Sequence, residues 1–265
     1  MSKSVGIVVP AYRPSPDRLV TFIKAVDETI APARIHVEVD QPTMDVLRAI
    51  ERTPSTVHVA DRRRGKGAAI TAGFELLDTE ILAFADADGS TSPPALDTVI
   101  EPVTTGEVAL AVGSRRHPES IVTVHQSRVR RRLGDGFVHL ARWLLPIALY
   151  DYQCGAKAID ARLWREIRKE IRAPGFAWDI EFLVAAHAAG ASIREIPISW
   201  EDRPGSTVQT VHTAVAFVRS LVRVLGWDDN RPVFGYLDRA IPQSPPLVCQ
   251  SKIHGRSSTF GSGTR

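Results

Sequence analysis

Apolar positions in this chain fall into short unbroken runs separated by longer amphipathic stretches. Val5-Gly6-Ile7-Val8-Val9 is continuous and β-branched, and it reads as a strand buried on both faces. Pro10-Ala11-Tyr12 ends it, and from Pro14 to Ile30 the apolar residues Leu19, Phe22, Ile23 and Val26 recur with helical period. The same alternation continues. Ile35 to Val39 predicts a strand ending at Asp40, Pro42 to Ile50 a helix, and Val57 to Ala60 a short strand. Gly65-Lys66-Gly67 opens a helix carrying Ala68, Ile70, Ala72, Phe74 and Leu77. Ile81 to Ala85, Pro94 to Val99 and Val108 to Val112 read as strand, helix and strand. Strands that alternate with helices predict an α/β domain with a mainly parallel sheet flanked by helices.

The second half changes character. A basic run, Arg128 to Arg132, precedes the apolar segment Phe137 to Tyr150. That segment is too short to span a bilayer; it fits either a core helix or a membrane interface with its arginines on lipid phosphates. Ala156 to Ile159 and Ile193 to Trp200 read as strands, and Arg162 to Ile171 and Trp178 to Ala189 as helices. Thr210 to Leu225 is amphipathic, suited to packing on the domain or lying on a membrane. From about Pro242 the chain is rich in Pro, Ser, Gly and Thr. The expected organisation is one domain over 1–240 and a disordered tail over 241–265. No internal repeat is visible.

Parallel sheets bind ligands beyond the carboxyl ends of their strands. Tyr12, Asp40, Arg62 to Lys66 and Asp86 to Asp88 all fall at such ends. In Ile81 to Pro94 (ILAFADADGSTSPP) an apolar run breaks into two carboxylates one residue apart. Burying them is costly unless something pairs with them. In extended chain, positions i and i+2 point the same way, so both can meet one hard cation, Mg²⁺ or Mn²⁺. A capped helix start, with Asp or Ser holding free N–H groups, accounts for the same residues. Glycine-flanked Lys66 lacks the spacing of the Walker loop or the dinucleotide fingerprint. A helix start with a lysine nevertheless attracts phosphate. Asp179 and Glu181 stand in a first helical turn, where negative charge is favoured in any case.

Composition adds limits. The 265 residues carry a net charge of only +3, but arginines cluster at 62–64, 115–116 and 130–132. Arginine's fork suits phosphate oxygens of a ligand, a lipid or a nucleic acid, and such clusters also form plain solvated faces. The small net charge and the lack of a recognised nucleic-acid module argue against a nucleic-acid partner. Two cysteines are too few for a disulfide framework and fit a reducing compartment. No N-terminal signal peptide is visible.

Seven motifs in order give the chain a family resemblance: VVPAY at 8–12, RGKGAAITAG at 64–73, FADADGS at 84–90, GSR at 113–115, DYQCGAK at 151–157, WDIEFL at 178–183 and IPISWEDRPGS at 196–206. Over roughly residues 5 to 225 it resembles family 2 glycosyltransferases with a GT-A fold, a Rossmann-like sheet with, here, C-terminal amphipathic helices. The likeness is to dolichyl-phosphate mannose and glucose synthases, and DADGS, GSR followed by His117, and DYQCG favour the glucose branch.

The resemblance implies an inverting, metal-dependent transfer of a hexose from UDP-glucose or GDP-mannose to dolichyl or another polyprenyl phosphate. It implies that Pro10, Ala11, Tyr12 and Asp40 hold base and ribose, with Lys66 and Ala87 near the donor. Asp86 and Asp88 would hold Mg²⁺ or Mn²⁺, with Ser90 where some relatives place a glutamine ligand. Arg115, Arg130, Arg131 and Arg203 would grip the acceptor phosphate and the donor diphosphate. Gln153, Trp178, Asp179 and Glu181 would close the sugar pocket. The implied location is peripheral, on the cytoplasmic face of a membrane. Departures from the family pattern lie at Pro14, at Val39-Asp40-Gln41-Pro42-Thr43 and at Thr207, where relatives carry lysine. They keep open a hydroxyl-acceptor transferase and a non-catalytic nucleotide-sugar-binding relative.

Overall fold

The computed structural model describes residues 3–123, 136 and 138–201. Strands β1 (Val5–Tyr12), β2 (Arg34–Asp40), β3 (Thr56–Ala60) and β4 (Ile81–Ala85) alternate with helices α1 (Pro16–Ile30), α2 (Met44–Ile50) and α3 (Lys66–Leu76). Helix α4 (Pro93–Thr104), β5 (Leu110–Ser114) and the two-residue β6 (Ile121–Val122) follow. Residues 138–144 are helical. The chain continues through β7 (Ala156–Asp160), α5 (Ala161–Ile167), α6 (Trp178–Ala188), β8 (Ile193–Pro197) and β9 (Ser199–Trp200).

Seven strands form one sheet in the order β3-β2-β1-β4-β7-β5-β8. All neighbours run parallel except β7, which is antiparallel to both β4 and β5. The α/β expectation is therefore met, with one reversed strand inside the sheet. From β1 the chain winds outward to β3, then returns to lay β4 on the other side of β1. The β1/β4 boundary is thus where strand order reverses, the place where open α/β sheets form a ligand crevice.

Both faces of β1 and β4 are covered, which explains their unbroken apolar runs. Ile7 and Val9 pack with Leu19, Phe22, Ile23 and Val26 of α1. Val8 faces the other way, onto Ile70 and Phe74 of α3. That second face also holds Trp164, Trp178 and Phe182, with the rings of Trp178 and Phe182 stacked 4.6 Å apart.

Three elements differ from the sequence reading. The strand expected over 193–200 is two pieces: β8 joins the main sheet, and β9 pairs with β6 in a small second sheet. Pro197 ends β8, since proline has no N–H to continue a ladder. Helix α4 runs five residues past Val99, to Thr104. The predicted helix over 162–171 closes as α5 followed by a 3₁₀ turn, Arg168–Glu170.

Helix α3 approaches α6 closely because Gly67 has no side chain. A Cβ there would lie 2.3 Å from Cβ of Trp178. Alanine in a helix interior gains up to about 1 kcal/mol over glycine, but overpacking a core costs about 1–3 kcal/mol. Gly67→Ala is therefore expected to lower stability in urea unfolding; equal or higher stability would contradict this packing.

Candidate active site

A cavity of about 590 Å³ opens at the carboxyl edge of the sheet, at the β1/β4 boundary. Pro10, Ala11 and Tyr12 line it from the end of β1, Asp40 from the end of β2, and Lys66 from the start of α3. Asp86, Ala87 and Asp88 line it from the turn after β4. The seven residues expected to meet the donor, and Asp88 expected to meet its metal, are thus gathered in one place. Arg63 and Arg64, from the stretch expected at the strand ends, line it too, as does Phe176, which the sequence did not point to.

The two aspartates come together differently from the strand-alternation argument. β4 stops at Ala85, and residues 86–89 turn, with Gly89 N–H donating to Asp86 O and φ of +67° at Gly89. The helix-cap alternative resolves alongside: the cap of α4 is Ser92, whose Oγ accepts from Ala95 N–H at 3.4 Å. That leaves the aspartates for the cavity. Asp88 Oδ1 accepts the backbone N–H of Ser90 at 2.9 Å. Ser90 itself is buried and braces Asp88 rather than lining the cavity.

Asp86 is fixed from two sides. Its Oδ1 pairs with Lys66 Nζ at 2.8 Å, and its Oδ2 presses on Gly155, where a Cβ would lie 2.0 Å away. Lys66 is only 11% exposed. Burial works against its charge, but Asp86 and Asp179 outweigh burial and raise its pKa. Asp179 in turn pairs with Lys157 at 2.5 Å in the fully buried interior, and Lys157 also donates to Cys154 O. Asp179 therefore acts on the cavity through charge, not by lining it.

Asp40 accepts from the N–H groups of Arg64 and Gly65 and from Arg64 Nε, so it anchors the loop that leads into α3. Gly65 has φ of +102°, and a Cβ there would lie 2.5 Å from Pro174 O. Only glycine fits so tight a corner. Ala68 N–H donates to the same Pro174 carbonyl, which seats the 172–176 loop beside Lys66. Glu181 holds that loop from behind, accepting from Arg172 and Ala173 N–H at 2.7 Å each. Trp178 belongs to the core, its Nε1 bonded to Thr71 Oγ1 at 2.9 Å. Neither Trp178 nor Glu181 lines the cavity, because their α6 faces are spent on packing and on this loop.

Arg115 also stands apart from the cavity lining. Its Nε and NH2 grip the buried Asp151 at 2.6 and 3.0 Å, and its guanidinium lies 5.5 Å from the Trp200 ring. Gln153 N–H donates to Asp151 Oδ1. Burial opposes Asp151's charge, yet Arg115 and these N–H groups lower its pKa to about 2. Glu195 ties the same loop down by accepting from Tyr150 and Asp151 N–H, and its own pKa is raised by burial. Arg130, Arg131 and Arg203 lie outside the described residues, as do the 210–225 stretch and the tail.

Sequence reasoning gave no role to Glu38, Asp151 and Lys157. Glu38 left a local signal, because His36, Glu38 and Asp40 alternate along an otherwise apolar β2, and Asp151 and Lys157 both stand in the DYQCGAK motif.

The family model for glycosyl transferase family 2 matches residues 6–157, more than half of the chain. The chain belongs to that family. As a family 2 chain it is 28% identical over 230 residues to glycosyltransferase AglD of Haloferax volcanii, covering 83% of this chain and 36% of that one. It is 29% identical over 173 residues to the dolichyl-phosphate beta-glucosyltransferase of Saccharomyces cerevisiae, covering 61% and 52%. The chain thus spans a third to a half of the length of these curated relatives. Its fold is shared with glucosyl-3-phosphoglycerate synthase of Mycobacterium tuberculosis, solved with Mn²⁺, UDP and glucosyl-3-phosphoglycerate: TM-score 0.65, 16% identity, 86% of this chain and 82% of that one. Mannosyl-3-phosphoglycerate synthase of Rubrobacter xylanophilus gives a TM-score of 0.69 at 17% identity, covering 93% and 78%.

The Asp151–Arg115 pair makes a pH prediction. A depressed carboxyl pKa adds stability that is complete above the ordinary value of 3.8 and is lost as pH falls to about 2. The contribution near neutrality is on the order of 2 kcal/mol. Urea unfolding should show Asp151→Asn less stable than wild type near neutral pH, with the gap closing in acid. A gap unchanged down to the acid end would contradict the pairing.

Proposed function

We propose that this family 2 chain moves a hexose from a nucleotide-sugar to a polyprenyl phosphate, with inversion at the anomeric carbon. The observation that carries the reading is the meeting of Tyr12, Asp40, Lys66, Asp86 and Asp88 in one cavity at the point where strand order reverses. An aromatic ring and a carboxylate at one end suit a nucleoside. A lysine and two carboxylates at the other suit a diphosphate and a divalent cation. The acceptor class comes from relatives named as dolichyl-phosphate glucosyltransferases and, in Mycolicibacterium smegmatis, a polyprenol monophosphomannose synthase.

The residues fit a Mg²⁺ or Mn²⁺ ion held jointly by protein and donor. Asp86 and Asp88 offer hard oxygens on one cavity wall, and Asp86 remains 36% exposed. Among the described residues no third His, Cys, Asp or Glu completes a metal-binding group, so the remaining coordination would fall to diphosphate and water oxygens. When bound, the cation would supply positive charge to the leaving diphosphate. Lys66 is placed to exchange its pairing with Asp86 for a donor phosphate oxygen. Asp179 and Lys157 keep that lysine's surroundings charged and fixed. Asp40 and the Arg64–Gly65 backbone orient the nucleoside. A phosphate acceptor is already ionised near neutral pH, so a strong general base is not required, and positioning and charge stabilisation carry the barrier reduction. Arg130, Arg131 and Arg203 are the cations proposed to hold the two repelling anions together, whereas Arg115 is committed to Asp151 and braces the loop beside the cavity.

A membrane surface fits the 138–150 region. Ala141, Leu145, Ile147 and Leu149 are buried in the core, so the core-helix reading of this segment holds for one side. Trp143 is 81% exposed, with exposed Leu140 and Tyr150 nearby in sequence and Arg142 stacked 4.7 Å from the Tyr150 ring. Tryptophan, tyrosine and arginine together suit a lipid headgroup boundary. Among the described residues no helix is long and apolar enough to cross a membrane. The proposed location is peripheral, on a cytoplasmic membrane face. Vesicles containing anionic lipid should sediment the wild-type chain, and Trp143→Ala should reduce the bound fraction several-fold. Undiminished binding by the variant would remove Trp143 from the proposed contact.

A radiolabel transfer assay tests the reaction. With Mg²⁺ or Mn²⁺ and a short polyprenyl phosphate, label from UDP-glucose or GDP-mannose should enter the organic phase. Asp88→Ala should reduce transfer at least about a hundredfold, as expected for loss of charge stabilisation at the reacting centre. Near-normal turnover of that variant at saturating metal would reject the site assignment. Absence of lipid product despite donor binding would redirect the reading to a hydroxyl acceptor or a non-catalytic relative.

A further inference from the structure

Gly155 is buried and does not line the cavity, yet its missing side chain makes room for a cavity residue, Asp86. Its φ lies outside the left-handed region, so backbone conformation does not call for glycine. Space does. A Cβ built there would meet Oδ2, Cγ and Oδ1 of Asp86 as its three nearest heavy atoms, at 2.0, 2.3 and 3.0 Å. Gly67 and Gly73 differ, because they make room for core side chains, those of Trp178 and Val8.

The reversed direction of β7 explains the meeting. Running antiparallel to β4, β7 begins at the carboxyl end of β4, where Ala85 pairs with Ala156. Gly155 therefore lies beside Asp86, and its carbonyl accepts the Asp86 N–H at 3.0 Å. The backbone there is pinned: Lys157 Nζ donates to the Cys154 carbonyl at 2.8 Å and pairs with Asp179 in the interior. A side chain at 155 would thus move the carboxylate rather than the strand. Once displaced, Asp86 would part from Lys66, which holds its Oδ1 at 2.8 Å.

We infer that Gly155 is a positioning residue: its bare Cα sets the direction in which Asp86 presents its carboxylate to a divalent cation. This role rests on the donor-site reading above and adds to that site a residue that touches neither cation nor donor. Altering the groups behind a metal ligand typically changes metal affinity about 10–100-fold. One methyl group is enough here, because the atoms nearest to it would be those of the ligand itself.

Calorimetric titration of the full chain with UDP and with GDP, each with and without Mn²⁺, tests this role without any transfer step. Mn²⁺ should tighten nucleotide binding to wild type, and Gly155→Ala should cut that gain at least about tenfold. Urea unfolding of the same proteins supplies a second readout. Gly155→Ala should lower the midpoint while Asp86 is present. Combined with Asp86→Ala, which removes the overlapping atoms, it should leave the midpoint unchanged or raise it, since alanine restricts the unfolded chain. A Gly155→Ala chain that fails to fold, but folds once Asp86→Ala is added, would support the same role. A full Mn²⁺ gain in Gly155→Ala, or a midpoint lowered equally with and without the Asp86 carboxylate, would overturn it and leave the donor-site reading standing. No Mn²⁺ gain in wild type would overturn the donor-site reading and the positioning role together.

Discussion

Asp86 stands at the mouth of a strand buried on both faces, and an ion pair with Lys66 at 2.8 Å holds it there. Lys66 can reach it only because α3 begins where it does. Asp40, from a different strand, holds the N–H groups that precede the helix. Gly65 turns a corner closed to other residues, and Pro174 O fixes the first turn from the far side. Behind Lys66, the buried Lys157–Asp179 pair ties β7 to α6. One run of alternating charges therefore links β2, α3, β4, β7 and α6 around the cavity.

That arrangement suits phosphate chemistry for an electrostatic reason. Two charges about 4 Å apart interact by about 1 kcal/mol in bulk water and about 4 kcal/mol at an effective dielectric constant of 20. Groups shielded by the sheet edge and the 172–176 loop therefore act on a diphosphate more strongly than the same groups on an open surface. Because the carboxylates and cations are held by one another and by backbone N–H groups, little reorganisation is needed when an anion arrives.

Much of this was legible in the sequence because it depends on local pattern. The doubly covered strands β1 and β4 declare themselves as continuous apolar runs, and Asp40, Lys66, Asp86 and Asp88 each follow such a run or open a helix. What was not legible depends on partners far away along the chain. Asp151 is 36 residues from Arg115, and Lys157 is 22 from Asp179. Strand direction is equally silent: nothing in the short run Ala156–Asp160 marks β7 as antiparallel to both its neighbours. Trp178 and Glu181 sit in a helical turn whose sequence cannot say which face meets the core, and the structure uses both residues for support. The helix cap and the metal-type carboxylates overlapped in one motif until the fold assigned the cap to Ser92.

On the reading proposed above, the turn at 86–88 and Lys66 together hold a cation and a nucleotide diphosphate. Electron paramagnetic resonance of Mn²⁺ with the full chain tests it most directly. UDP or GDP should sharply increase the bound Mn²⁺ signal, and Asp88→Ala should abolish this increase. Mn²⁺ binding indifferent to either nucleotide, or undiminished in the Asp88 variant, would contradict it.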